Sequence, residues 1–138
     1  MPKHVLSDIA VLHHDDDLIV IDKPAGLMVH RSALSRGVKE FALQYARDIA
    51  GQHVYPVHRL DRPTSGVLVF ATNRQAAQVM SGQFARREVH KTYRAVIRGY
   101  VSHEGIVDRP IERETGQTKK PAETRWRLLG AGEILASV

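Results

Sequence analysis

Residues 54–71 read "VYPVHRLDRPTSGVLVFA", a charged, turn-rich knot that runs straight into an apolar strand. "GVLVFA" is apolar on both faces, so it is expected as a central, covered strand. Ahead of it, Pro63, Thr64, Ser65 and Gly66 supply turn chemistry: hydroxyls for local backbone bonds and a glycine for close entry into the strand. His58, Arg59, Asp61 and Arg62 crowd into the five positions before that turn. Flanking arginines favour the ionised form of Asp61, which then suits a base or a nucleophile rather than an acid. Arg59 and Arg62 can bind phosphate or lie flat against a base. The plainer alternative is a salt-bridged turn that merely feeds a core strand, and the residues alone leave both open.

Working outward, "IAVLHHDDDLIVIDKP" (9–24) predicts a hairpin, two β-branched runs around a His-Asp turn stopped by Pro24. The "HHDDD" cluster has no second group of ligands nearby, so a turn is preferred to a metal site. "KPAG" (23–26) is a sharp bend, too short to cradle a phosphate, and neither nucleotide-loop glycine pattern occurs. "VKEFALQYARDIAG" predicts a helix with Val38, Phe41, Ala42, Tyr45 and Ile49 on one face, Ser35 as cap and Gly51 as stop. "TNRQAAQVMSGQFARR" predicts another, with Thr72 and Gln75 in capping-box spacing and Ala76, Met80 and Phe84 lined up.

The stretch "HKTYRAVIRGY" (90–100) alternates as a strand would, with Lys91, Tyr93, Ala95 and Ile97 on one side. Tyr93 therefore points inward, as a core tyrosine or as a ring placed to stack on a nucleobase. "ERETGQTKKPAETR" predicts a long polar hairpin loop, and "EILASV" (133–138) the opening of another strand. Together these elements predict an α+β domain built on a mostly antiparallel sheet flanked by helices.

Composition narrows the function class. The chain has 138 residues, 43% hydrophobic and 25% charged, enough for one domain with a core. No apolar run approaches the ~20 residues that span a bilayer, and the N-terminus lacks a secretory pattern. It has no cysteine, so thiol chemistry is absent and a cytoplasmic protein is expected. The net charge is +5 and unevenly spread. Residues 4–22 hold five aspartates and no lysine or arginine, whereas residues 84–98 hold Arg86, Arg87, Lys91, Arg94 and Arg98 against Glu88 alone. Such segregation suits a phosphate backbone.

These residues resemble a known family. "HRLDRPTSG" (58–66) is similar to the signature of RluA-type pseudouridine synthases, which isomerise selected uridines in structured RNA. "IVIDKPAGLMVH" (19–30), "KTYRAVIRG" (91–99) and "KPAET" (120–124) resemble three further family segments in the family's order. "VHRSALSR" and "GQHVYPVHRLDRPTSGVLVFA" look most like a bacterial branch acting on tRNA. The resemblance implies Asp61 as the catalytic aspartate, attacking C6 of the base or C1′ of the sugar. It implies Tyr93 packed on the target base, Arg59 entering the stack the uridine vacates, and an RNA-binding surface of Arg59, Arg62, His58, Lys91 and Arg94. A base-modifying enzyme must extrude its nucleotide at a cost of roughly a few kcal/mol, which a planar cation beside the nucleophile can offset.

The resemblance further implies no cofactor, no metal, no membrane, an RNA partner (tRNA or rRNA) and a monomer at full length. The family's later Gly-Arg-x-His-Gln segment has no counterpart. Residues 1–138 are therefore expected to be a catalytic domain incomplete at its C-terminus, with no separate N-terminal RNA-binding domain. An alternative is a non-catalytic RNA-binding remnant. A scaffold whose "HRLD" turn is only structural is another.

Overall fold

A computed structural model describes residues 9–31, 37–112 and 118–132. The chain divides into two compact units, Met1–Thr92 and Tyr93–Val138.

The first unit holds a four-stranded antiparallel sheet in the order β1-β2-β4-β3. β1 (Val11–His14) and β2 (Leu18–Lys23) form the expected hairpin. Its tip is closed by Asp15, whose carboxylate accepts from the Asp17 and Leu18 amides at 2.9 and 2.7 Å and meets His13 Nε2 at 2.7 Å. The cluster that could have suggested a metal is thus a turn. Among the described residues no group of three or more His, Asp or Glu side chains could hold an ion.

β4 (Gly66–Ala71) lies between β2 and the two-residue β3 (Tyr55–Pro56), central as expected. Its two faces are covered unequally, with Ala71 buried and Val69 half-buried on the side of Val67. Leu68 and Phe70 are fully buried, while Val67 on the opposite face is 59% exposed. The buried face meets Ile19 and Ile21 of β2, together with Leu27, Val29, Val54 and Leu60. Burying each such side chain contributes about 1.5–3 kcal/mol, so this cluster dominates the stability of the unit.

Helix α1 (Ala42–Ala50) closes this core with Ala42 and Ala46. It begins later than its hydrophobic periodicity implied, because its first amides find acceptors outside the helix. Ala42 and Leu43 donate to the carbonyls of Met28 and Val29 at 2.8 and 3.0 Å. Val38 lies before the helix and Ile49 is exposed, so the buried stripe is rotated toward the alanines. The Gln44 side chain caps the Phe41 amide at 3.0 Å. The predicted cap Ser35 lies outside the described residues. Gly51 ends the helix at φ 64°, as expected of a left-handed stop.

Helix α2 (Arg74–Ala85) turns Ala76, Met80 and Phe84 to its half-buried face, as the pattern predicted. Asn73 is its cap, accepting from the Ala76 amide at 2.8 Å. Thr72, the expected cap, instead sends its hydroxyl to the Asp16 carbonyl at 2.5 Å and ties the helix start to the β1–β2 turn. Among the described residues no helix is long and apolar enough to cross a membrane.

The second unit holds the hairpin of β5 (Glu104–Asp108) and β6 (Glu123–Arg127), extended by a bridge between Ile111 and Lys120. The loop expected over 112–125 is shorter at its end, since Glu123, Thr124 and Arg125 belong to β6, and residues 113–117 of it lie outside the described residues. The Trp126 ring lies over Gly105, where a Cβ would have no room. The strand expected at 90–100 does not form: residues 91–97 carry no ladder pairing among the described residues. Alternation describes a surface that fits a sheet, and it produces no strand where no neighbour accepts the hydrogen bonds. Tyr93 is accordingly exposed, not inward-facing. "EILASV" lies outside the described residues.

Candidate active site

The turn before β4 is built by alternation. From His58 to Asp61 successive side chains face opposite ways. Leu60 is buried in the core, and Arg59 and Asp61 emerge on the other side. Arg59 Nη2 lies 3.4 Å from Asp61 Oδ1, and each side chain is 72% exposed. An ion pair this open contributes no more than about 1 kcal/mol and leaves both groups free to meet a ligand. The Thr64 amide donates to the Asp61 carbonyl at 3.0 Å, closing the turn directly behind the carboxylate.

Arg62, the other flanking arginine, does not pair with Asp61. Its Nε donates to the Gly26 carbonyl at 3.0 Å, while the Gly26 amide donates to the Arg62 carbonyl at 2.7 Å. This reciprocal clasp joins "KPAG" to "HRLDRPTSG". Gly26 sits at φ 89°, a conformation that a side chain would strain.

Beneath the clasp lies Lys23, with no exposed surface. Its ammonium donates to the carbonyls of Leu27 at 2.8 Å, Pro24 at 3.0 Å and Arg62 at 3.4 Å, so one buried cation ties both loops. Burial pushes the Lys23 ammonium below its usual range, opposed by the negative charge of Asp61. Sequence reasoning missed Lys23, yet the signal was present: Ile19, Ile21 and Lys23 share one face of β2, and the first two are core.

Of the remaining expected site residues, His58 and Lys91 belong to the first unit and Tyr93 and Arg94 to the second. His58 does not project with Arg59 and Asp61. Its Nε2 accepts the Val69 amide at 3.0 Å, and its ring stacks on Phe84 at 4.8 Å with planes 17° apart. Burial first, then the charge of Lys91, lowers its pKa from the ordinary 6.5. Lys91 is exposed after α2 in the first unit, and Tyr93 and Arg94 are exposed at the start of the second.

An exposed Asp-Arg pair on a turn locked from below by a lysine is therefore the feature to be matched. A family model for RNA pseudouridylate synthase matches residues 17–136. The chain belongs to the RNA pseudouridylate synthase family. Among curated relatives, tRNA pseudouridine synthase C of Haemophilus ducreyi is 50% identical over 105 residues, covering 76% of this chain and 43% of the relative. The Vibrio cholerae protein of the same name is 47% identical over 104 residues, covering 75% and 43%. The chain thus spans less than half the length of these pseudouridine synthases. Among solved structures, Human RNA Pseudouridylate Synthase Domain Containing 4 superposes with a TM-score of 0.61 at 25% identity, covering 89% of this chain and 54% of that one. Human RNA Pseudouridylate Synthase Domain Containing 1 shares the fold at a TM-score of 0.68, with 23% identity.

Proposed function

We propose that residues 1–138 carry the aspartate-bearing part of an RNA pseudouridine synthase catalytic domain that isomerises a uridine in structured RNA. Asp61 is the nucleophile. It attacks C6 of the base or C1′ of the sugar, the N-glycosidic bond breaks, the base turns and bonds to C1′ through C5, N1 takes up a proton, and the bond to Asp61 breaks to free the carboxylate. The C5 proton is then lost, with Tyr93 against the base to help remove it. Arg59 fills the space of the extruded uridine, and Arg62, Lys91 and Arg94 face the phosphate backbone. Glycosidic cleavage, base rotation and re-attachment through carbon call on the enzyme and the RNA alone, so no cofactor and no metal enter this reading. tRNA is favoured over rRNA as substrate, because the relatives described above carry tRNA in their names. At full length the enzyme acts as a monomer, in the cytoplasm.

The observation that carries this reading is the disposition of Asp61 and Arg59. They stand exposed and adjacent at 3.4 Å on a turn fixed by Lys23 and the Gly26–Arg62 clasp. A turn serving only as scaffold gains little from displaying its charges so openly. The test is tritium release from C5-tritiated uridine in a pool of tRNA transcripts. Release by the chain is expected to fall to background in Asp61→Asn, with RNA affinity retained. Turnover persisting in that variant sinks the assignment. RNA binding without release by the unaltered chain supports the binding remnant instead, and binding should weaken steeply with salt in either case.

A further inference from the structure

β3 pairs with β4 only at Tyr55↔Ala71 and Pro56↔Phe70, and then leaves the ladder. At the next residue of β4 a side chain takes over as acceptor: the Val69 amide donates to His58 Nε2 at 3.0 Å. A ring nitrogen that accepts carries no proton, so the imidazole is neutral with its proton on Nδ1. The ring is also held by stacking on Phe84 of α2. Gripped from strand and helix, His58 is anchored three residues before Asp61, with buried Leu60 between them.

We infer that His58 is a positioning residue, a neutral imidazole that extends the β3–β4 ladder by one bond and so sets where Arg59 and Asp61 leave the sheet. The inference rests on reading Asp61 as the working carboxylate. Val69 on β4 and Phe84 on α2 are uncharged, and among the described charged groups Lys91 is the one whose charge acts on the ring. Burial and Lys91 both disfavour imidazolium. Protonation turns the acceptor into a donor facing another donor, and the turn loses its hold on β4. The free chain takes up this proton more readily than the folded one, so the hold is complete above the ordinary imidazole pKa of 6.5 and weakens as pH falls below it.

The test compares the chain with His58→Phe, a ring without an acceptor, and His58→Gln, an acceptor that does not titrate. Nitrogen-15 NMR should place the imidazole proton on Nδ1, and the protection of the Val69 amide, relative to its intrinsic exchange rate at each pH, should fall as the ring is protonated. In His58→Phe that exchange is expected to be on the order of tenfold faster, with the Asp61 amide signal displaced. His58→Gln should restore both and remove the pH dependence of the Val69 protection and of the Asp61 signal between about 5 and 7. In the tritium assay, kcat should fall in His58→Phe more than KM rises, and His58→Gln should recover it with a flatter acid limb. A proton on Nε2 overturns the inference, and so does a Val69 or Asp61 amide unmoved in His58→Phe. These NMR readings do not require turnover, so a failure of tritium release counts against the assignment of Asp61 alone.

Discussion

Two stretches of this chain carry similar amounts of apolar surface and meet opposite fates. In the first unit, "LIVIDK" and "GVLVFA" pair over six residues and bury Ile19, Ile21, Leu68 and Phe70 completely. In the second, "YRAVIRGYV" (93–101) stays unpaired and exposed, with Val96 at 95%. The hydrophobic patterns do not distinguish them; the partners do. β2 has β1 on one side and β4 on the other, so each backbone donor has an acceptor and each inward side chain has a facing neighbour. A two-stranded hairpin such as β5–β6 is marginal by itself. The site follows the same division. Asp61 and Arg59 ride on the edge of a packed sheet, which fixes them without covering them.

Three substitutions sharpen the contrast. Phe70→Ala should be the most damaging, costing about 3–5 kcal/mol as a cavity opens under β4. Urea unfolding followed by far-ultraviolet circular dichroism would show a midpoint shift of that size. Lys23→Met should cost less, about 1–2 kcal/mol. It strands the carbonyls of Pro24, Leu27 and Arg62 but relieves the desolvation of a buried ammonium. If Lys23→Met matched the unaltered chain in that same titration, the lysine would not be what joins the two loops. Val96→Ser should change stability by less than about 0.5 kcal/mol, since it removes an exposed side chain. A cost comparable to that of Phe70→Ala would show that the stretch is packed in solution and dissolve the contrast.

Much of the fold was legible in local signals. The Asp15 turn, the Gly51 stop and the half-buried face of α2 each depend on neighbours a few residues apart. α1 was misjudged at its start because Met28 and Val29, which accept its first amides, are far from it in sequence. The strand expected around Tyr93 failed for the related reason that alternation carries no information about partners. At the site, the charged turn was legible, whereas the alternation that buries Leu60 between exposed Arg59 and Asp61 was not read from the sequence. The clasp from Gly26 to Arg62 joins residues 36 apart, and nothing local announced it. The family resemblance placed His58 on the RNA-binding surface; that its Nε2 accepts the Val69 amide, 11 residues away, is visible only in the fold.

The sealed environment of Lys23 has a practical consequence. Amine-reactive reagents should modify exposed Lys91 readily and pass over Lys23 while the loops remain joined. Mass spectrometry after brief acylation would then read modification at position 23 as a count of molecules whose loops had parted. The chain carries its own tamper seal, placed where the two loops join.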